Sequence, residues 1–300
     1  MQGSEFESPA PHPADLLLDA VDRCDSPICV GLDPVAERLP TALRPEGGAT
    51  NNVIVDRLAA FCIRVLTSLE GVVPCIKVQS ACFERYRGAG QAALDDVINE
   101  AVQRGFVVIL DAKRGDIGLT AQHYAAAAFP TDRRAPHWVT ASAYLGSDAL
   151  SPFLQRGGVC ALVRTSNPSA AAIQDARLAD GTTVAEHVAG YLDEFGRTVL
   201  GRRGYSAVGA VVGATEAGAI PALRARMPHQ IFLVPGYGAQ GGGPEDVRAC
   251  FHGDGTGALI TASRSVIYAF DPDDLHWERR VATAARDMAD AVRQVLTTGA

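Results

Sequence analysis

The chain has 300 residues, of which 47% are hydrophobic and 20% are charged, a composition typical of a folded globular protein with a large core. Its formal net charge is −7 and its pI is near 5.5, which argues against a nucleic-acid or membrane surface, because both need concentrated basic side chains. An anionic small molecule remains a suitable ligand, since a few Lys and Arg residues in one cleft would hardly change the net charge.

The amino terminus and the cysteines bear on the compartment of the protein. Residues 3–6 read Gly-Ser-Glu-Phe, which is typical of an expression-tag remnant. Residues 1–12 are therefore predicted to be a tag remnant and disordered terminus, and residues 13–300 to be one folded domain. No apolar run reaches the roughly 18 residues of a membrane span, and no signal-peptide pattern is present. The seven cysteines include no Cys-x-x-Cys pair and favour reduced, buried thiols, so a cytoplasmic protein is predicted.

Short apolar runs recur along the chain, and each is followed by a turn signal and a stretch with helical periodicity. The predicted strands are Ile28–Leu32, Pro74–Val78, Phe106–Leu110, Trp138–Ala141, Cys160–Val163, Val208–Val212, Ile231–Val234 and Ala258–Thr261. Amphipathic helices are predicted at Val53–Leu69, Thr183–Leu200 and Trp277–Leu296. Runs this continuous in hydrophobicity are typical of parallel strands that are covered on both faces.

Polar residues follow most of these strands, and their position decides between two architectures. A doubly wound open sheet would also alternate strands with helices. A closed barrel gathers the carboxyl ends of all its strands around one mouth, where its active site lies. We therefore predict an α/β fold consisting of a single (β/α)8 TIM barrel. Stretches rich in Gly and Pro at 44–52, 167–180 and 236–244 are interpreted as loops after strands, and the last two are long enough to act as mobile lids.

The most informative segment joins the third strand to four charged residues, Asp111, Lys113, Arg114 and Asp116. Side chains alternate along a strand, so Asp111 and Lys113 are expected on one face, as a close pair at the barrel mouth. Gly115 is expected to permit a sharp turn that takes Asp116 out of this alternation. A structural ion pair is the alternative, but burying charges at a strand end is costly for stability, so a functional role is favoured.

Two further charged residues lie near the ends of strands. Lys77 interrupts the apolar sequence Cys-Ile-Lys-Val-Gln and is predicted to point into the barrel. The alternative is a lysine whose stem is buried and whose ammonium group reaches solvent. Asp33 follows the first strand and is interpreted either as a carboxylate of the site or as a turn cap.

The loops after the last two strands have the features of a phosphate site. The seventh strand is followed by Gly-Tyr237-Gly-Ala-Gln240 and three more glycines, and the eighth by Ala-Ser-Arg264-Ser. TIM barrels usually bind phosphate in these two loops. Glycine N–H groups can surround an anion, and an arginine can clamp it through two hydrogen bonds, so a phosphate-bearing ligand is predicted.

Taken together, these segments resemble the orotidine 5'-monophosphate decarboxylase family. The resemblance rests on Asp-Ala-Lys-Arg-Gly-Asp-Ile after the third strand, Pro-Gly-Tyr-Gly-Ala-Gln-Gly-Gly after the seventh and Ser-Arg-Ser-Val-Ile-Tyr after the eighth. Gly-Leu-Asp, Ile-Lys-Val-Gln and Thr-Ser-Asn-Pro fit the family as well, and the long loops are similar to those of its longer bacterial branch. The resemblance implies an enzyme of de novo pyrimidine biosynthesis that converts OMP to UMP and CO₂ without a metal or cofactor.

The resemblance also implies a role for each site residue. Lys113 is expected to protonate C6 of the pyrimidine, with Asp111 against the departing carboxylate. The other implied site residues are Lys77 and Asp33 on the ribose hydroxyls, Ser166 on the pyrimidine, and Tyr237, Gln240 and Arg264 around the phosphate. Asp116, with Ile117 and Thr120 beside it, is expected to reach the active site of the partner subunit in a homodimer.

Three other functions share some of these features. A Mg²⁺-dependent sugar-phosphate decarboxylase or aldolase also has Asp-x-Lys-x-x-Asp, but its chemistry needs an acidic metal ligand on the second strand, where this chain has Lys77. A Schiff-base aldolase would use Lys77 or Lys113 as its nucleophile, but Asp111 would keep Lys113 protonated. A non-catalytic binder of a phosphate ligand would use Arg264 and would not need the Asp111–Lys113 pair.

Overall fold

The computed structural model describes residues 11–214, 218–237 and 243–297. Parallel strands form one closed barrel in the order β1 to β8, and β8 pairs with β1. The strands are β1 (Ile28–Leu32), β2 (Cys75–Gln79), β3 (Val107–Arg114), β4 (Trp138–Ser142), β5 (Gly158–Arg164), β6 (Val208–Val212), β7 (Phe232–Val234) and β8 (Ala258–Ala262).

Helices precede β1, connect successive strands and follow β8. They are α1 (Pro13–Cys24), α2 (Asn51–Leu69), α3 (Ala81–Glu84), α4 (Arg87–Gln103), α5 (Gly118–Ala128), α6 (Ser151–Leu154), α7 (Ala171–Gln174), α8 (Val184–Gly196), α9 (Ile220–Arg226), α10 (Pro244–Arg248), α11 (Arg264–Ile267) and α12 (Trp277–Thr297). Single 3₁₀ turns lie at Ala36–Arg38, Thr41–Leu43, Ser147–Ala149, Pro168–Ala170 and Arg197–Val199.

Alternate residues of the strands belong to two different apolar clusters. Ile28 and Val30 belong to the cluster that includes the surrounding helices, whereas Cys29 between them packs in the barrel interior with Trp138. This alternation follows from the pleat of a strand, and it explains why a strand covered on both faces is apolar throughout. Leu17 of α1 joins the interior cluster, so α1 covers the amino-terminal end of the barrel. The carboxyl ends of the strands form the opposite end, which carries the polar residues.

The eight predicted strands and the closed barrel are confirmed, with differences at the ends of elements. β3 continues to Arg114, because its pairing with β4 resumes after a register shift that follows Leu110. The helix predicted over Thr183–Leu200 is α-helical only as far as Gly196, and a 3₁₀ turn continues it. It begins after Thr183 because the Thr183 hydroxyl and the Glu186 carboxylate form a capping box.

Three other predictions concern the terminus, the loops and the cysteines. Most of the predicted tag remnant lies outside the described residues, although the imidazole of His12 is hydrogen-bonded to the carbonyl of Val199 at 3.1 Å. Part of the 236–244 loop also lies outside them.

All seven cysteines are free, and only Cys24 and Cys82 are partly exposed, which confirms the prediction of unpaired thiols. In the described part of the chain, no helix is both long enough and apolar enough to cross a membrane.

Candidate active site

Asp111 is the centre of a charged cluster at the carboxyl ends of β2, β3 and β4. Its side chain is buried, and its two oxygens face two different ammonium groups. Lys77 Nζ of β2 donates to Asp111 Oδ2 at 2.9 Å, and Lys113 Nζ donates to Asp111 Oδ1 at 2.7 Å. Lys77 Nζ also lies 3.5 Å from Asp33 Oδ1 at the end of β1. The structure therefore brings four of the predicted residues together in an alternating row of charges.

Neutral hydrogen-bond donors complete the surroundings of Asp111. The Thr140 hydroxyl of β4 donates to Oδ1 at 2.8 Å, and Nε2 of Gln79 donates to Oδ2 at 3.2 Å. Each carboxylate oxygen thus accepts from one ammonium group and one neutral donor. Such an arrangement compensates the cost of burying an ionised carboxyl group and fixes its orientation.

The protonation states of this cluster follow from burial and neighbouring charges. Burial by itself would raise the pKa of Asp111, but Lys77 and Lys113 outweigh it and hold that pKa well below its usual range. Burial opposes the charge of Lys77, whereas Asp33 and Asp111 favour it, and the pKa of Lys77 is raised above its ordinary value. Asp111 is therefore an anion and Lys77 a cation at neutral pH.

Lys113 reaches Asp111 through an unusual backbone conformation. Its φ is 45°, in the left-handed region that non-glycine residues seldom adopt, and its N–H donates to Thr140 Oγ1 at 3.0 Å. The predicted Asp111–Lys113 pair is confirmed, but simple strand alternation does not produce it. β3 ends at Arg114, so Gly115 begins the connection and Asp116 lies outside the strand, whereas the left-handed residues of this segment are Lys113 and Gly118. What Gly115 provides is close approach, because a Cβ there would lie 3.3 Å from Ser142 Cβ.

A cavity of about 470 Å³ opens above this cluster. It is lined by seven of the predicted site residues, namely Asp33, Lys77, Asp111, Lys113, Ser166, Tyr237 and Arg264. The apolar part of its wall includes Leu162, Val211 and Leu233, which point inward from β5, β6 and β7. One cavity therefore combines a charged end, an apolar wall and a basic end.

The basic end lies at the loops after β7 and β8. Arg264 is exposed at the first residue of α11, and its guanidinium group makes no hydrogen bond or ion pair with the described residues. Tyr237 lines the same cavity and is half-buried, and burial raises the pKa of its phenol. Gln240, the third residue predicted here, lies outside the described residues. An exposed arginine at the rim of a cavity is suited to binding an anionic ligand.

Comparison with known proteins agrees with the barrel. A model described as the orotidine 5'-phosphate decarboxylase / HUMPS family matches residues 26–274. The chain belongs to this family. An orotidine 5'-phosphate decarboxylase from Rhodopirellula baltica is 39% identical over an alignment 299 residues long. The alignment covers 93% of this chain and 98% of the relative.

Two further relatives of the decarboxylase family match over similar lengths. An orotidine 5'-phosphate decarboxylase from Roseiflexus castenholzii is 39% identical over 277 residues, covering 91% of this chain and 94% of the relative. The structure of Leishmania donovani OMP decarboxylase is similar with a TM-score of 0.74 and 34% identity, covering 95% of this chain and 99% of that one. The match therefore extends over nearly the whole barrel in sequence and in structure.

Three of the residues predicted from the decarboxylase family do not line the cavity of this chain. Asp116, Ile117 and Thr120 lie on the connection from β3 to α5, and Ile117 and Thr120 are exposed. The Asp116 carboxylate accepts a hydrogen bond from the N–H of Ile117 at 2.8 Å. Within one subunit, these residues follow the strand that carries Asp111 and Lys113 but do not line the cavity.

Several residues of the cavity were not predicted from the sequence. They are Gln79, Thr140, Thr165, Asn167, Gln174, Thr261 and Ser263. Thr140 is the most consequential, because it is only 1% exposed and contacts both Asp111 and the backbone of Lys113. Its one signal in the sequence is a hydroxyl within the otherwise apolar run Trp-Val-Thr-Ala. Gln174 gives no comparable signal, since it lies in a segment interpreted as a loop.

Proposed function

We propose that this protein is an orotidine 5'-phosphate decarboxylase, which converts OMP to UMP and CO₂. The observation that carries the proposal is the row Asp33–Lys77–Asp111–Lys113, which lies in one cavity with a basic far end. The relatives from Rhodopirellula baltica and Roseiflexus castenholzii carry the name of this enzyme and match more than nine tenths of the chain. A site with a phosphate clamp at one end and a fixed ammonium group at the other suits this substrate.

The chemical step uses the pair formed by Asp111 and Lys113. The carboxylate of OMP would lie against Asp111, and this like-charge contact is relieved when CO₂ leaves. The Lys113 ammonium group stabilises the carbanion that develops at C6 and then gives it a proton. Because the Asp111 carboxylate is held by four donors, it keeps its place and its charge throughout.

The remaining residues bind the other parts of the substrate. Lys77 and Asp33 would bind the ribose hydroxyls, and Asp33 Oδ1 accepts no hydrogen bond from a described residue. Ser166 would bind the pyrimidine, with a hydroxyl that likewise makes no hydrogen bond to the described residues. Arg264 and Tyr237, together with Gln240, would bind the phosphate. Binding energy from this distant phosphate can then favour the closed site in which C6 reacts.

A metal-dependent sugar-phosphate decarboxylase or aldolase is the alternative within the superfamily. Its enediolate intermediate needs a divalent cation held by acidic residues. Here the Lys77 ammonium group lies between Asp33 and Asp111, and together with Lys113 it balances the charges of both carboxylates. A metal ion at this position would face a fixed positive charge, so the metal-free reaction is favoured.

The remaining alternatives use fewer of the observed contacts. A Schiff-base aldolase needs an unprotonated lysine, whereas the raised pKa of Lys77 keeps that amine charged. A non-catalytic binder of a phosphate ligand would account for Arg264 but not for a buried carboxylate held between two lysines. Neither alternative explains the whole cavity as well as decarboxylation does.

The proposal includes a homodimer in which Asp116 enters the partner's site. The segment around Asp116 exposes apolar side chains, among them Ile117 and Leu119, which are 53% and 68% exposed. Tyr144 and Leu145 add to this surface from the connection after β4, and α5 contacts the adjacent 3₁₀ turn Ser147–Ala149. Exposed apolar patches of this kind mark protein interfaces. A cytoplasmic location also belongs to the proposal, since free cysteines persist in a reducing compartment.

The experiment is to follow the ultraviolet absorbance of OMP with the purified enzyme, with and without EDTA and with added Mg²⁺. We expect complete conversion to UMP, identified by chromatography, at a rate that EDTA does not change. Loss of activity in EDTA and recovery with Mg²⁺ would contradict the metal-free mechanism. Tight binding of UMP without any turnover of OMP would instead support the non-catalytic binder.

A further inference from the structure

The segment after β5 is tied to the barrel by a buried arginine. Arg164, the last residue of β5, is 2% exposed, and its guanidinium group forms a fork with the carboxylate of Asp175. Nε lies 2.8 Å from Oδ1, and Nη2 lies 3.0 Å from Oδ2. Two parallel charge-assisted hydrogen bonds of this kind fix both distance and orientation. The fork holds the carboxyl end of α7 against the end of β5.

The same group of side chains holds Thr165, the residue that joins β5 to Ser166. Nη1 of Arg164 donates to the Thr165 carbonyl at 2.7 Å. From α7, Oε1 of Gln174 accepts the Thr165 N–H at 2.8 Å, and Nε2 of Gln174 lies 3.0 Å from the Thr165 hydroxyl. Both polar backbone groups of Thr165 are therefore fixed by side chains. The peptide bond that leads into Ser166 can rotate little while these contacts persist.

A glycine just after the neighbouring strand leaves room for Ser166. Gly213 follows β6 and donates its N–H to the carbonyl of Arg164 at 2.8 Å. A Cβ at Gly213 would lie 3.0 Å from the N, Cα and Cβ atoms of Ser166, which is closer than ordinary contact. Ser166 therefore packs against the backbone of Gly213. Its hydroxyl makes no hydrogen bond to the described residues, and Ser166 lines the cavity.

We infer that Arg164, Gln174 and Asp175 are positioning residues that fix the Ser166 hydroxyl for the pyrimidine ring of the substrate. This inference rests on the proposed function, which assigns Ser166 to the pyrimidine. Gln174 also lines the cavity, whereas Asp175 does not, so the influence of Asp175 on the substrate has to pass through Arg164 and Thr165. Residues 167–180 were interpreted from the sequence as a loop that can act as a mobile lid. Within this loop, Gln174 and Asp175 are fixed to the end of β5 by hydrogen bonds. A displacement of a binding group by about 1 Å can lower a rate by roughly 100-fold.

The test is a double-mutant cycle between the support and Ser166. Asp175→Asn keeps the shape of the side chain and removes one charged partner of the fork, and Gln174→Ala removes both contacts to Thr165. Each is combined with Ser166→Ala, and kcat and KM for OMP are measured for all variants. Arg177→Ala is the matched control, because Arg177 lies in the same segment, donates to the carbonyl of Gly181 at 2.7 Å and does not line the cavity. Thermal unfolding of every variant reports any change in stability.

We expect Asp175→Asn and Gln174→Ala each to lower kcat/KM by roughly 10- to 100-fold. In the Ser166→Ala background, the same substitutions should change kcat/KM by no more than about twofold. Arg177→Ala should retain the wild-type kcat/KM. The inference is overturned if the losses multiply with that of Ser166→Ala, or if both support variants are fully active. If Asp175→Asn does not fold, the cycle between Gln174→Ala and Ser166→Ala shows whether the support acts through Ser166.

Failure of the proposed function would look different in this experiment. Wild-type enzyme that does not convert OMP would refute the decarboxylase itself. Full activity of Ser166→Ala would refute the role of Ser166 in binding the pyrimidine. An active wild type and an impaired Ser166→Ala, with independent effects of the support variants, would refute the positioning inference alone.

Discussion

The ammonium group of Lys113 lies 2.7 Å from Oδ1 of Asp111, and both residues lie between Leu110 and Arg114, where the register of β3 with β4 shifts. Regular strand geometry would carry Lys113 along the strand axis, whereas its φ of 45° places the side chain over the carboxylate. A left-handed conformation costs roughly 1–2 kcal/mol for a residue other than glycine. Strain held at one residue of a site is a frequent mark of function, and it makes Lys113 the first target for mutation.

Lys113→Ala should abolish detectable turnover. The one ammonium group that would remain among the described residues of the cavity belongs to Lys77, and two carboxylates hold it. The substitution keeps a Cβ and therefore the same backbone cost, so the barrel should remain folded. Binding of UMP, measured by calorimetry, should persist through Arg264. Near-normal turnover in a single-turnover assay would show that Lys113 is not the acid.

Thr140→Val should lower kcat by roughly 10- to 100-fold, since hydrogen bonds to charged groups contribute about 1.5–3 kcal/mol. The valine leaves Asp111 without one donor and the Lys113 N–H without its acceptor. Thr140→Ser retains the hydroxyl and is the matched control, with activity expected close to wild type. Wild-type activity in Thr140→Val would show that the hydroxyl is not required, and equal loss in both variants would show that the hydroxyl alone does not account for the role of Thr140.

The barrel could be predicted from the sequence because its signals are local. Each strand is a short run in which both faces are apolar, and the charged residues stand at strand ends, where a barrel has its site. The Asp111–Lys113 pair was predictable for the same reason, since the two residues are neighbours in sequence.

Contacts between distant parts of the chain could not be predicted in this way. Thr140 reaches Asp111 from another strand, and the register shift that aligns them arises from pairing between β3 and β4. The left-handed φ of Lys113 has no sign in the sequence, because lysine does not favour this conformation. Gln174 acts through Thr165, and a segment rich in small residues gives no sign of such a contact. Tertiary geometry decides these features, and local propensity does not.

Arg264→Ala should mainly weaken binding of OMP, raising KM, with a smaller loss in kcat if phosphate binding favours closure of the site. The Arg264 guanidinium group has no partner among the described residues, so little stability should be lost. Arg264→Lys keeps the charge but loses the planar fork and should recover only part of the affinity. Steady-state kinetics of the three proteins tests this order. An unchanged KM in Arg264→Ala would remove the residue from the phosphate site.

The stability of the barrel should depend on the protonation of His137, at the opposite end from the site. Burial lowers the pKa of His137 to about 4, and Nδ1 accepts the N–H of Val108 at 3.0 Å. Between pH values of about 6.5 and 4, the unfolded chain therefore binds a proton that the folded chain does not. As the pH is lowered across this interval, the free energy of unfolding should therefore decrease. His137 should contribute up to about 3 kcal/mol to this decrease.

His137→Asn provides the comparison, because its amide oxygen can accept from Val108 and does not titrate. The difference in Tm between pH 7 and pH 4.5 should be smaller for the variant than for wild type. Identical differences would mean that His137 does not contribute to acid sensitivity. Activity at pH 7 should be unchanged, since the residue precedes β4 and lies outside the cavity.

The shared site of the proposed dimer can be tested by mixing two inactive proteins. Lys113 belongs to the cavity of its own subunit, whereas Asp116 stands on the exposed connection after β3 and would act in the partner's cavity. In a mixed dimer of Lys113→Ala and Asp116→Ala, one site carries both changes and the other carries neither. If subunits exchange freely, about half of the dimers are mixed and each has one intact site of two, so roughly a quarter of wild-type activity should return.

This recovery requires that each variant is folded, dimeric and nearly inactive alone, which sedimentation and kinetics establish before mixing. Native mass spectrometry of differently tagged variants then measures the fraction of mixed dimers, and the activity should rise in proportion to that fraction. Mixing two preparations of Lys113→Ala is the control, because every site then lacks the lysine and no activity should return. If mixed dimers form and stay inactive, Asp116 acts within its own subunit. The exposed surface of Ile117 and Leu119 would then have to serve an interface that contributes no residue to the site.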